Sequence, residues 1–233
     1  MSAPTAPVRR VPRLPSPSVI DPEALGLRSD DQRNSIPTRK MTPDVYFSAD
    51  VETDGPIPGP YSMLSLALVR AGSFDGCRFE VAPSASPSIY LELRPISDSF
   101  ELEALRVNGL DRDRLVREGL DPRQAMTQLA EWVRVSAQGG EPVLVAYPIS
   151  FDWSWLYWYF VRFSATGSPF NHSRCFDMKT AVALLTGIPI HRARRSELPS
   201  DLRSDLPHTH NALDDAAEQA EVFRKIMGKW RRA

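Results

Sequence analysis

The stretch "VYFSADVE", residues 45 to 52, alternates without interruption between apolar and polar side chains. Val45, Phe47, Ala49 and Val51 leave the chain on one side, and Tyr46, Ser48, Asp50 and Glu52 on the other. A period of two is the signature of a β-strand, so the two acids share a face. Neighbouring carboxylates repel one another unless a cation or a shared proton lies between them. A half-exposed edge strand with a wetted acidic face would show the same pattern. Taken alone, the stretch leaves both readings open.

The bulk of the chain narrows the choice. A length of 233 residues suits one domain with an appendage, or two small domains. The net charge of −1 provides no global basic field for long nucleic acid, so a polyanionic substrate would be held by a local patch or by bound metal ions. No apolar run reaches the roughly 18 residues of a membrane helix, and no membrane partner is expected. Cys77 and Cys175 are too few for a disulfide scaffold and lack metal-ligand spacing. They read as reduced thiols of a cytoplasmic protein. Residues 1–41, which include "MSAPTAPVRRVPRLPSPSV", form a Pro/Arg-rich segment with too little apolar surface to offset its ordering entropy. It is expected to be disordered; an arm whose arginines touch phosphate is the alternative. Translation starting at Met41 is a further expectation, which an N-terminus near Ser2 in native protein would exclude. Residues 42–233 are assigned to the folded domain.

Along that domain, "MLSLALVRA" (63–71) and "SIYLELRP" (88–95) read as strands, joined to the first by connections short enough for an antiparallel meander. "FELEALRVNGL" reads as a short helix closed by Gly109. "DPRQAMTQLAEWVRVSAQGG" carries Asp121 as N-cap, Pro122 at the first helical position, Gln124 as a capping-box partner, and Gly139-Gly140 as the stop. "PVLVAYP" (142–148) reads as a strand buried on both faces, and residues 150–163 as a helix with Ser150 at its N-cap. That helix is aromatic around most of its circumference, which fits a buried helix or a subunit interface better than a set of base-stacking platforms. A short strand near "SRCFD", a helix over "MKTAVALLTG" closed by Gly187, a long loop over 188–210 and a final amphipathic helix complete the pattern.

Three more chemically capable groups fall at element ends. Asp152 follows the fourth strand, in the first turn of the next helix, where an acid also simply satisfies the helix dipole. In "HTHNALDDA", Asn211 is expected as N-cap and Asp214 as the N3 residue reaching back to free amides. Asp215 then points about 100° away around the helix. His210, just before the cap, is free to face a cleft; a plain loop histidine is the alternative.

In this order the groups resemble the DEDDh exonucleases of the ribonuclease H-like superfamily, which includes proofreading subunits, ribonuclease T and oligoribonuclease. "DVETDG" matches the first motif, "YPISFD" matches the second in part, and "HNALDD" matches the His-x4-Asp third motif. The resemblance spans residues 44 to 228. It implies an α/β fold of ribonuclease H-like type: a mixed five-stranded sheet, antiparallel meander plus parallel strands, flanked by helices. It also implies a 3′–5′ exonuclease that releases nucleoside 5′-monophosphates from single-stranded DNA or RNA 3′ ends or short oligonucleotides. Two divalent ions, Mg²⁺ or Mn²⁺, would be held by Asp50, Glu52, Asp152 and Asp215, since hard ions take carboxylate oxygens. His210 would serve as general base near neutral pH, and Thr53 would contact the terminal nucleotide. A homodimer is a further implication. Tyr147-Pro148 stands where many relatives carry His-Asn, and a changed rim of the site is expected there. Arg192, Arg194 and Arg195 either steady phosphates or belong to a solvated loop. A non-catalytic nucleic-acid-binding or polymerase-docking module of the same fold, or hydrolysis of a small nucleotide, are the competing functions.

Overall fold

A computed structural model of the chain describes residues 41–83 and 86–230, so the expectations for the N-terminal segment lie outside the described residues. The described residues contain strands β1 (Asp44–Thr53), β2 (Met63–Phe74), β3 (Phe79–Val81), β4 (Ser88–Glu92), β5 (Glu141–Ala146) and β6 (Cys175–Asp177). The helices are α1 (Leu102–Asn108), α2 (Arg112–Glu118), α3 (Pro122–Ser136), α4 (Ile149–Phe163), α5 (Met178–Thr186) and α6 (Ala212–Trp230). The sheet runs β3-β2-β1-β5-β6, with β4 also on β2. β1 and β2 are antiparallel, as are β2 with β3 and with β4, whereas β1, β5 and β6 are parallel.

The mixed α/β sheet is the one expected, with one strand more. β3 is three residues long and pairs only with the end of β2, too short for its period to show in sequence. α2 also forms where no separate helix was expected; its N-cap Asp111 accepts from the Arg114 amide.

β1 is not an edge strand. It lies between β2 and β5, and both of its faces are covered. Val45, Phe47, Ala49 and Val51 pack with Ala125, Leu129 and Val133 of α3 and with Trp155 and Tyr159 of α4. On the other face, Tyr46 packs with Phe223, and Ala212, Ala216 and Ala220 form a small-residue stripe along α6. Their spacing of four places them on one side of the helix, where short side chains let its backbone approach the sheet. The polar face of β1 is therefore largely inside the protein, and Asp50 and Glu52, half-buried at its end, are costly to ionise.

Helix ends set the site's geometry. Asp121 caps α3 by accepting from the Arg123 amide at 2.9 Å, behind Pro122 as expected. α4 differs: it begins at Ile149, its N-cap is Pro148, and Ser150 lies inside the helix. The cap comes instead from a distant acid. Asp177 Oδ1 accepts from the Ile149 amide at 3.0 Å, and its Oδ2 accepts from the Thr180 amide of α5 at 3.0 Å. One carboxylate at the end of β6 thus seats two helix N-termini. Asp177→Ala is expected to cost about 1–3 kcal/mol, two caps' worth. Because α4 carries Asp152, it is also expected to lower hydrolysis, checked by urea unfolding alongside turnover. An unchanged midpoint would show that neither helix needs the cap.

Candidate active site

Parallel pairing of β1 with β5 ends at Ser48 opposite Val145, so Asp50 and Glu52 project beyond the end of β5. Pairing of β1 with β2 slips between Glu52 and Thr53, where Leu64 is passed over. A bulge of this kind ends regular pairing and re-aims the side chains beside it. The crevice at the carboxyl ends of the parallel strands then receives Asp152 from the first turn of α4 and Asp215 from the first turn of α6.

Carboxylate oxygens of Asp50, Glu52 and Asp215 lie within 4.8 Å of one another. Asp152 is 6% exposed and stands close enough to Asp50 that its charge is the largest electrostatic influence on that group after burial. Burial and the charges of Asp152, Glu52 and Asp215 hold the Asp50 carboxyl well above the usual carboxylate range. Burial, then Asp215 and Asp152, push Glu52 up to about 8. Burial raises Asp152 to about 7, against the pull of its own backbone amide, that of Val51 and the Arg195 charge. Three acids driven towards protonation around one crevice describe a site short of positive charge. Hard oxygen donors in that state fit divalent cations.

Asp215 is fully buried and heavily tethered. Its Oδ1 accepts from the Thr209 amide at 2.8 Å, and its Oδ2 accepts from the His210 amide at 3.0 Å and lies 2.7 Å from His208 Nδ1. This reverses one expectation. Asp215, not Asp214, reaches back to the amides before the helix, while the exposed Asp214 accepts from the Thr209 hydroxyl. Asn211 caps as expected, its Oδ1 accepting from Leu213 and Asp214 amides. His210 adopts φ 59°, a left-handed conformation in which His is enriched among non-glycine residues. Its exposed ring sits 4.5 Å, centroid to centroid, from that of His208 at the mouth of the crevice.

Several supporting residues lie outside the three motifs. Gln219 Nε2 donates to Asp50 Oδ1 at 2.8 Å. It lies four residues beyond Asp215, so the helical period alone could have placed it on the same face. Arg195 pairs with Glu218 of α6, and its charge favours the ionised forms of Asp50 and Asp152. Of Arg192, Arg194 and Arg195, Arg192 pairs instead with the exposed Glu197 at 3.9 Å. Asp54, fully buried, accepts from the Ser62 amide at 2.5 Å and from Arg112 Nε at 3.0 Å, fixing the loop that follows Glu52. Gly55 in that loop has no room for a Cβ, which would run into the Tyr61 ring.

A cleft of about 350 Å³ opens from the acids between this loop and α1, lined by Val51, Glu52, Thr53, Val107, Asn108 and Phe151. Thr53 is thus at the cleft, but its hydroxyl donates to the Gly55 carbonyl and its own carbonyl accepts from Asn108 Nδ2. Phe151 is 40% exposed here, whereas Trp155, Tyr159 and Phe160 of the same helix are core residues. Tyr147 does not shape a rim: it is 7% exposed, and its hydroxyl donates to the Ala193 carbonyl at 2.9 Å, pinning the 188–210 segment.

The arrangement can be set beside known proteins. Residues 111–227 match the family described as the 3′–5′ exoribonuclease Rv2179c-like domain. Over 184 residues the chain is 38% identical to the 3′–5′ DNA exonuclease Cap18 of Escherichia coli, covering 78% of this chain and 91% of that protein. The chain belongs to the DEDDh 3′–5′ exonucleases. As a member of that family it is a 3′–5′ exonuclease acting on nucleic acid. Ribonuclease T of Baumannia cicadellinicola subsp. Homalodisca coagulata is 26% identical over 187 residues, 78% of this chain and 83% of the relative. The same fold recurs in the nuclease domain of 3′hExo, a DEDDh family member bound to rAMP. That domain has a TM-score of 0.56 and 11% identity, with 84% of this chain and 94% of that one covered. It recurs also in E. coli exonuclease I in complex with a dA16 oligonucleotide, with a TM-score of 0.60 and 14% identity, covering 82% and 42%.

Proposed function

We propose that this DEDDh exonuclease removes nucleoside 5′-monophosphates from the 3′ ends of single-stranded DNA or RNA, or from short oligonucleotides. The observation that carries this reading is the convergence of Asp50, Glu52, Asp152 and Asp215, from three separate parts of the chain, on one crevice beside an exposed histidine. Those four carboxylates would hold two hard ions, Mg²⁺ or Mn²⁺. Such ions, when bound, supply an activated water and stabilise the leaving oxygen.

The chain's own groups account for the rest. Gln219 holds Asp50 Oδ1, and the amides of Thr209 and His210 hold Asp215, so the carboxylates keep their aim when substrate enters. The cleft beside Glu52 has the size of a nucleoside site, and Phe151 offers a face for the terminal base. Thr53 contributes backbone to its wall, since its hydroxyl is already engaged with Gly55. His210 takes the proton of the attacking water from its exposed position at the mouth. His210→Ala is expected to slow turnover by roughly 10²–10⁴-fold. Mn²⁺ binding should survive in that variant, and its loss would contradict the assignment as base. Two exposed free cysteines accord with a reducing cytoplasm. The homodimer is checked by light scattering.

The reading is tested with 5′-labelled single-stranded DNA and RNA of matched sequence, incubated with Mg²⁺, Mn²⁺ or EDTA. Stepwise shortening from the 3′ end in either metal, absent in EDTA, is expected, and the faster strand names the preferred sugar. Internal cuts, or release from the 5′ end, would contradict it.

A further inference from the structure

His208 is left unused by the reaction above, yet it touches the site. Its Nδ1 lies 2.7 Å from Asp215 Oδ2, and one donor atom from each of His208, His210 and Asp215 falls within 4.8 Å of the others. Both imidazoles are exposed, so an ion reaches them without opening the fold. Asp215 is held by two backbone amides, an outer layer that fixes the carboxylate's orientation. Two nitrogens and one oxygen make a different donor set from the all-carboxylate crevice. Such a set takes Zn²⁺ and its neighbours with one position left open, and discriminates against Mg²⁺.

We propose that His208, His210 and Asp215 form a second, inhibitory site for a zinc-class divalent ion. Asp215 belongs to both donor sets, because its oxygens also lie within 4.8 Å of those of Asp50 and Glu52. An ion on the histidines therefore competes with hard-ion loading through the shared carboxylate and occupies the ring nitrogen needed for proton transfer. Zinc binding stands on the geometry alone; the inhibition rests on the functional reading given above, in which His210 is the base.

Equilibrium dialysis against Zn²⁺ in excess Mg²⁺ tests the site, using the full chain and the His208→Asn variant. Asparagine keeps a donor towards Asp215 but is a poor zinc ligand. Wild type is expected to retain Zn²⁺, and His208→Asn to bind it about 100-fold more weakly or worse. His191→Asn, an exposed histidine elsewhere, is expected to bind as wild type does. Equal retention by wild type and His208→Asn, or complete displacement by Mg²⁺, would overturn the site. His210→Gln provides a second variant, expected to lose Zn²⁺ likewise. In the activity arm each protein's Zn²⁺ inhibition is normalised to its own Mg²⁺ rate, and His208→Asn should need far more Zn²⁺ for half-inhibition. Zinc retained by a wild type that hydrolyses nothing in Mg²⁺ or in Mn²⁺ supports the site and refutes the functional reading. Hydrolysis in Mg²⁺ with no zinc retention does the reverse.

Discussion

Asp50→Asn is expected to lower metal-dependent hydrolysis by about 10³-fold or more, while raising the melting temperature of the metal-free protein at alkaline pH. The loss follows from removing a carboxylate at the centre of the acid cluster. The gain in stability has a separate cause. The folded-state pKa values of Asp50, Glu52 and Asp152 all lie above their ordinary values of 3.8, 4.5 and 3.8, reaching about 8 for Glu52 and about 7 for Asp152. Between pH 4 and pH 8 the folded state therefore binds more protons than the unfolded one. Stability contributed by these groups falls as pH rises across that window. Asparagine at position 50 removes one of the repelling charges and keeps an oxygen to accept from Gln219 Nε2. The difference in melting temperature between variant and wild type should be small at pH 4 and grow towards pH 8.5. Saturating Mn²⁺ should reverse the ranking at pH 8.5, because only the wild-type site binds the ion tightly enough to gain from it. A variant less stable than wild type at pH 8.5 without metal would mean that the acids are not in mutual repulsion.

The second large effect is on folding. Arg112→Ala is expected to cost about 3–5 kcal/mol, because it strands the fully buried Asp54 carboxylate without its cation. Arg112 also donates to the Ser97 carbonyl and lies over the Phe100 ring at 5.0 Å, so its removal loosens the segment leading into α1 as well. Asp54 is two residues beyond Glu52, and its backbone carbonyl accepts from the Glu101 amide. The damage should therefore reach the cleft. The double variant Arg112→Met with Asp54→Asn is expected to recover much of the loss, since neither residue then buries an unpaired charge. Denaturant unfolding of the two single variants and the double one completes the cycle. A cost below about 1 kcal/mol for Arg112→Ala would place the pair among solvent-screened bridges.

What could be read from sequence and what could not follow a physical division. Asp50 and Glu52 share a face because strand periodicity is local, and Asp121, Gly109 and Gly187 mark helix ends through their own backbone preferences. The same locality explains the misreadings. Ser150 looks like an N-cap to its neighbours, but the amide at Ile149 is taken by Asp177, which is 28 residues away. Asp54 and Arg112 are 58 residues apart, and nothing in either segment announces the other. Asp214 and Asp215 have the same chemistry and differ only in the direction the helix gives them. The sequence points Asp215 away from Asp214; that Asp215 also takes the two amides depends on the fold. A changed rim is expected where Tyr147-Pro148 replaces His-Asn; only the fold shows Tyr147 buried as a tether for the 188–210 segment.

The most direct test of the account is calorimetric titration of metal-free protein with Mn²⁺, without nucleic acid, comparing wild type with Asp152→Asn. Wild type should take up two ions and the variant should lose at least one, with hydrolysis lost in parallel. Equal uptake by both proteins, or hydrolysis that persists in Asp152→Asn, would contradict the assignment of these carboxylates as the reactive centre.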